Sequence, residues 1–257
     1  MCPGTPATTT SGCAAPDMDS AVRLEAVCKT FGGVTAVDDL ELAIPRGETC
    51  GFVGPSGAGK TTTIRLILSI LFPDAGRISV LGRTSALDAK DRIGYLPEER
   101  GVYRRMRVGA FLSYIAQLKG VAPGVVRPRA LALMEQLGLG DVGERRCEEL
   151  SKGMLQRVQF IATVLHDPDL LILDEPFGGL DPFSVRLLRA VISEQRRRGT
   201  TVLFSTHVMA HAEELCDRVV MIHRGRKVLD ERTAALRRRF DPSRILFEPL
   251  MPDAELG

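Results

Sequence analysis

From residue 22 onward, short apolar runs rich in Val, Ile and Leu alternate with longer stretches of helical period. That rhythm predicts an α/β protein with a largely parallel sheet. Residues 22–27 and 36–44 read as strands, the second with apolar positions alternating at Leu40, Leu42 and Ile44, and Pro45-Arg46-Gly47 makes a turn. Residues 49–53 read as a short buried strand. Residues 61–71 carry helical spacing through Ile64, Ile67, Leu68 and Leu71. The middle has a different texture: 108–119 and 129–137 read as amphipathic helices with no strand between them, separated by the breaker-rich GVAPGVVRP of 120–128, and together predict a helical insertion. The strand and helix rhythm then resumes, with a helix over 154–165, a strand over 170–173, a helix over 185–196, a strand over 201–205, and closing strands near 219–222 and 227–229. There is no internal repeat.

Composition narrows this picture. A chain of 257 residues with 44% hydrophobic and 26% charged positions suits a compact globular protein and excludes wholesale disorder. Its 34 basic and 32 acidic residues leave a formal charge of +2, too little for a global field that draws nucleic acid or anionic lipid, so no specific nucleic-acid partner is expected. The longest mostly apolar stretch, 64–72, is interrupted by Arg65 and Ser69 and falls far short of the roughly 20 residues that cross a bilayer. The six cysteines (Cys2, Cys13, Cys28, Cys50, Cys147, Cys216) form no C-x-x-C pair and read as reduced thiols of a cytosolic protein. Residues 1–20 lack the basic and apolar regions of a secretory signal and read as a disordered arm. No apolar segment precedes Cys13 to present it for lipid attachment. Residues 241–257, with three prolines and several acids, read as a short tail.

Chemistry enters at Gly54-Pro55-Ser56-Gly57-Ala58-Gly59-Lys60-Thr61, which fits G-x-x-x-x-G-K-[ST] between a predicted strand and a predicted helix. Glycines let the backbone wrap closely, so that consecutive N–H groups and the helix N-terminus face a phosphate. Lys60 neutralises charge near the γ-phosphate, and the Thr61 hydroxyl suits Mg²⁺. Leu170-Leu171-Ile172-Leu173-Asp174-Glu175-Pro176 is an apolar strand ending in two carboxylates. Strand side chains alternate, so Asp174 can hold Mg²⁺ through water while Glu175 faces the γ-phosphate and orients the attacking water. The pair also suits a plain N-cap of the next helix.

With these motifs the chain resembles the ATP-binding subunit of ABC transporters, over about residues 22–230. Leu150-Ser151-Lys152-Gly153-Met154 stands where that family carries its LSGGQ signature, 23 residues before Asp174 counted from Ser151. The resemblance implies an α/β P-loop NTPase of ABC type, with an antiparallel β subdomain, a largely parallel core sheet and a helical insertion. Its domain would span 21–240, with a helical subdomain at about 102–165, and its ligands would be ATP and Mg²⁺. It further implies that Ser151, Lys152 and Gly153 serve the nucleotide of a second subunit, in a head-to-tail homodimer or heterodimer. Lys152 and Met154 depart from the family's Gly and Gln; Lys152 adds a cation beside a triphosphate but also a side chain where close approach is expected. Ser151 equally fits an ordinary helix N-cap.

Other pieces follow in order. Phe31, in Lys29-Thr30-Phe31-Gly32, resembles the family's adenine-stacking aromatic, although an isolated Phe after a strand also suits a core. The implied nucleotide-binding set is then Phe31, Gly54, Pro55, Ser56, Gly57, Ala58, Gly59, Lys60, Thr61 and Thr62. Gly179-Leu180-Asp181-Pro182 resembles the D-loop, in which Asp181 couples the two sites across the dimer; it also reads as an Asp-Pro helix start. His207, in Ser205-Thr206-His207, resembles the switch histidine at the γ-phosphate, and a histidine at a strand end also has purely structural uses. In Ile93-Gly94-Tyr95-Leu96-Pro97-Glu98-Glu99-Arg100-Gly101, Glu98 replaces the family's usual Gln; a carboxylate is still a hard oxygen ligand for Mg²⁺, so Glu98 is expected to position metal or nucleotide. The resemblance thus assigns catalysis to Glu175, His207, Lys60 and Glu98, and the metal to Thr61, Asp174 and Glu98.

The pairing of YLPEERG with LSKGM resembles the subgroup serving ABC-2-type exporters, including sodium and drug efflux systems. Such a subunit would energise export through an integral membrane permease on a separate chain, peripheral on the cytoplasmic face of the cell membrane. The basic runs at 104–105, 196–198 and 237–239 suit solvated helix ends, and Arg104 and Arg105 also stand where the family meets its membrane subunit. A soluble ABC protein acting on ribosome or DNA is the alternative, but such proteins usually carry two cassettes or a long coiled coil. A small-molecule phosphotransferase would need neither the signature nor His207.

Overall fold

The computed structural model describes residues 19–99 and 101–239. Residues 1–18 of the expected arm, the tail over 241–257, Cys2, Cys13 and Arg100 lie outside them; the last two residues of that expected arm, Asp19 and Ser20, are instead a turn and the first residue of a strand.

Strand β1 (Ser20–Phe31) and strand β2 (Val34–Pro45) form an antiparallel hairpin. Both run longer than the apolar pattern predicts because only Gly32 and Gly33 join them, each at positive φ, as a two-residue hairpin loop requires. Leu40, Leu42 and Ile44 alternate into the core as expected. Strand β3 (Thr49–Val53) is buried throughout and leads through the glycine-rich loop into helix α1 (Lys60–Ile67). This helix stops short of residue 71: Ser69 turns left-handed (φ 55°), and the N–H groups of Ile70 and Leu71 return to the Arg65 carbonyl.

Strand β4 (Ala75–Val80) then adds to the free side of β1, and strand β5 (Ile93–Leu96) opens the second sheet. Neither is evident from periodicity. β4 is a half-exposed edge, and β5 has four residues, one of them Gly94. Helix α2 (Val108–Leu118) falls where expected, whereas helix α3 (Pro123–Gln136) begins inside the supposed breaker segment. Pro123 occupies the first turn, where its missing N–H has no helical partner to lose, and Pro128 forfeits a single bond.

The rest alternates: helix α4 (Lys152–Val164), strand β6 (Leu170–Asp174), helix α5 (Pro182–Arg197), strand β7 (Thr201–Thr206), helix α6 (Met209–Leu215), strands β8 (Arg218–His223) and β9 (Arg226–Arg232), and helix α7 (Thr233–Arg239). The two sheets are an antiparallel β2-β1-β4 and a six-stranded β5-β6-β7-β3-β8-β9, parallel except for the β8-β9 pair. Strands β3, β6 and β7 are buried on both faces, which explains their unbroken apolar runs. In β6, Leu170 and Ile172 join one core with Phe52 and Ile64, while Leu171 and Leu173 join the other with Phe160 and Met134. Neighbouring parallel registers set Val53 opposite Thr206 and Asp174 opposite Ser205, so the carboxyl ends of β3, β6 and β7 open at one place.

Cys28, Cys50, Cys147 and Cys216 are free thiols; burial pushes Cys216 up to about 12 and Cys50 higher still, which keeps both inert. Among the described residues no helix is long and apolar enough to cross a membrane.

Candidate functional site

A cleft of about 550 Å³ lies at that convergence. Ser56, Gly57, Ala58, Gly59, Lys60, Thr61 and Thr62 line it from the loop and α1, Ala36 from β2, Leu96, Pro97 and Glu98 from the end of β5, Gln156 and Gln159 from α4, and Asp174, Glu175 and His207 from the ends of β6 and β7. Gly59 is the N-cap of α1, at φ 105°, and a Cβ there would strike the Ala36 carbonyl, so only glycine fits. Gly54 and Pro55 do not line the cleft. Their carbonyls instead accept hydrogen bonds from Lys60 Nζ at 2.7 and 3.3 Å, which aims the ammonium across the loop. That ammonium is 7% exposed and lies 3.7 Å from Glu175 Oε1, placing the cation and the proposed water-orienting carboxylate together.

Glu175 sits just past β6 in a left-handed conformation (φ 48°), which a non-glycine residue holds only when its surroundings fix it. Its N–H donates to both the carbonyl and the hydroxyl of Ser205, each at 3.2 Å. Its Oε1 is 3.0 Å from His207 Nδ1. Behind the turn, Phe177 packs at 5.3 Å against Phe204 and edge-on at 5.0 Å against His211. Burial and then Arg189 hold the His211 pKa below the usual histidine range.

Asp174 is 1% exposed. Its Oδ1 accepts a short hydrogen bond from the Ser205 hydroxyl, and its Oδ2 is buried with no hydrogen-bond partner. An orphaned carboxylate oxygen on a residue that lines the same cleft as Thr61 fits a divalent cation. Among the described residues no three His, Cys, Asp or Glu side chains come together to cage a metal. Glu98 is exposed at the cleft wall. Tyr95, three residues before Glu98, has its phenol pushed up to about 12, by burial first and by Asp174 second.

Phe31 is 46% exposed at the end of β1, which removes the core reading, and Lys29 Nζ lies 5.4 Å from its ring centre. It does not line the cleft. Nor do Ser151, Lys152, Gly153 and Asp181, although α4 itself reaches the cleft one turn later through Gln156 and Gln159. Ser151 N-caps α4, its hydroxyl accepting from the Met154 N–H at 3.2 Å. Asp181 N-caps α5, accepting from the N–H groups of Phe183 and Ser184 and from the Ser184 hydroxyl. That hydroxyl, with the backbone donors, holds the Asp181 pKa below the usual carboxylate range. Both residues thus perform the helix-start role that their sequences allow, with their side chains outside this chain's own cleft.

Motif spacing does not single out Ser205, Ala36, Gln156 or Gln159. Ser205 and Ala36 arrive through strand pairing and sheet contact. The two glutamines are three apart on α4, both buried at 6% exposure, in a helix that also carries Lys152, Arg157 and Thr163, so the sequence does not set them apart.

The family model described as ABC transporter matches residues 37–178. The ABC transporter ATP-binding protein YhaQ of Bacillus subtilis is 43% identical over 219 residues, covering 85% of this chain and 74% of that one. The Nod factor export ATP-binding protein I of Paraburkholderia xenovorans is 36% identical over 221 residues, covering 85% and 73%. A solved ATP-binding subunit of an ABC transporter superposes with a TM-score of 0.80 at 30% identity, covering 86% of this chain and 94% of that one.

Proposed function

The chain belongs to the ABC transporter family as an ATP-binding subunit, and on that premise we propose that it powers export through a permease on a separate chain, by hydrolysing ATP with the residues of the cleft. Subunits of this family bind and hydrolyse ATP with Mg²⁺, dimerise and work with membrane permeases. Export is supported by the likeness to the Nod factor export protein. The subunit would sit against the cytoplasmic face of the membrane. Residues 21–240 would form one ATPase domain, with 102–165 as its helical subdomain.

The observation that carries the reading is the meeting of Lys60, Glu175 and His207, with Glu175 Oε1 3.7 Å from one and 3.0 Å from the other. The loop N–H groups and Lys60 would bind the phosphates, and Thr61, Asp174 and Glu98 would hold the metal. Mg²⁺ held there would supply positive charge against the charge that develops on the phosphates in the transition state. Glu175 orients the attacking water and takes its proton, and His207 fixes the carboxylate and meets the γ-phosphate. Phe31 supports the adenine ring from the surface. Ser151, Lys152, Gly153 and Asp181 act on the nucleotide of the partner subunit, consistent with their position outside this chain's own cleft.

Glu175→Gln tests this reading. It should bind ATP as the wild type does, lose at least about 100-fold in turnover, and accumulate as an ATP-bound dimer in size-exclusion chromatography. Unchanged turnover would remove Glu175 from the reaction.

A further inference from the structure

The tip of the β8-β9 hairpin touches the back of the phosphate-binding loop, and its contacts are all backbone. Gly225 is buried at φ 78°. Its N–H donates to the Ala58 carbonyl at 2.9 Å, and its own carbonyl accepts from the Asp38 N–H at 3.0 Å. A Cβ on Gly225 would stand 2.8 Å from the Ala36 carbonyl oxygen and 3.1 Å from the Val37 Cα. From the other side, a Cβ on Gly59 would meet the Gly225 Cα at 3.5 Å. Three segments distant in sequence, 36–38, 58–59 and 224–226, therefore interlock where no side chain fits. Outside this key, Arg226 Nε donates to Asp38 Oδ2 at 2.8 Å and ties the tip to β2.

Peptide geometry gives the interlock a consequence. In a planar trans peptide the carbonyl of one residue and the N–H of the next point in opposite directions. Gly225 lies outside the cleft lining and binds the Ala58 carbonyl, so the Gly59 N–H points away from Gly225, and Gly59 itself lines the cleft. The Ala58 N–H is occupied within the loop by the Pro55 carbonyl at 3.1 Å, which fixes the preceding peptide as well. We propose that Gly225 is a positioning residue for the nucleotide site: it sets the orientation of the Ala58–Gly59 peptide, and through it the affinity for the phosphates of ATP. The hairpin tip thereby makes nucleotide affinity responsive to the C-terminal strands, 165 residues further along the chain than Lys60 when counted to Gly225.

This inference rests on the loop binding ATP, and Lys60→Ala tests that premise separately in the same assay. Equilibrium binding of Mg·ATP is measured on purified full-length chain, alongside urea denaturation. Gly225→Ala should weaken the dissociation constant at least about tenfold, the effect of one misdirected phosphate-facing hydrogen bond. Gly120→Ala is the matched control: Gly120 has φ 79°, but a Cβ there meets nothing within 4 Å, so it carries the backbone strain without the contact. It should bind within about twofold of the wild type at a similar loss of stability. Arg226→Ala loosens the tip without a steric clash and should weaken binding roughly two- to fivefold with the fold intact. Gly225→Ala binding like Gly120→Ala overturns the proposal. If Gly225→Ala does not fold, unchanged affinity in Arg226→Ala overturns it alone. If Lys60→Ala binds as tightly as the wild type, the ATP reading of the loop fails instead.

Discussion

Replacing Ser205 with Ala removes a hydroxyl that does two jobs inside β7, donating to Asp174 Oδ1 and accepting from the Glu175 N–H. The two losses are unequal. The Glu175 N–H keeps the Ser205 carbonyl at 3.2 Å, so no backbone donor is orphaned. Asp174 Oδ2 already lacks a partner, so the variant leaves a carboxylate that is 1% exposed with neither oxygen bonded. A hydrogen bond to a charged group contributes about 1.5–3 kcal/mol, and the volume lost is too small to add a cavity of consequence. Ser205→Ala should therefore destabilise by about 2–3 kcal/mol and lower the thermal midpoint by about 4–12 °C for a domain of this size. Urea and thermal unfolding measure it, and the cycle with Asp174→Asn isolates the ionic part. Against an asparagine the same serine deletion should cost no more than about 1 kcal/mol. A loss below about 0.5 kcal/mol in the Asp174 background would refute the reasoning, because it would mean that the carboxylate does not depend on this donor.

Two further predictions follow from the geometry. His166 is half-buried, its Nε2 lies 3.2 Å from the Ile93 carbonyl, and its Nδ1 is buried with no hydrogen-bond partner; burial first, then Lys119, brings its pKa from 6.5 to about 4. Below pH 6.5 the unfolded chain takes up a proton that the folded one refuses, so this contribution is complete above pH 6.5 and is lost as pH falls through 4, on the order of 3 kcal/mol. His166→Gln should flatten that part of the stability profile, and an identical slope in the variant would contradict the assignment. Ser151→Arg removes the N-cap of α4 at a cost of about 1 kcal/mol, and should abolish ATP hydrolysis while monomer ATP affinity stays near normal. Parallel loss of affinity and turnover would contradict a role on the partner's nucleotide.

How much of this was legible in the sequence depends on what each residue's job requires. Gly59, Lys60 and the Asp174-Glu175 pair could be read directly, because loop geometry and strand alternation are local rules. Ser205 could not, since its importance comes from β7 lying beside β6, a pairing between segments joined by a whole helix. Nothing local distinguishes Gly225 from any other turn glycine, because its role comes from the hairpin tip lying against Ala36 and Ala58. The secondary structure shows the same division. Buried strands announced themselves through apolar runs, but β4 and β5 are short edges with little to bury, and the start of α3 was hidden because proline is favourable in a first turn and forbidden only later.

The six-stranded sheet ends in two guarded edges. On one side β5 has only four residues to offer an incoming strand; on the other, β9 carries five charged side chains, Arg226, Lys227, Asp230, Glu231 and Arg232, among its seven residues. Exposed strand edges are the usual route to indiscriminate association, and short length and charge are the usual protection. The proposed pairing through Ser151 and Asp181 would then meet no competition from the sheet, and the direction of assembly is written partly in the places where the protein resists sticking.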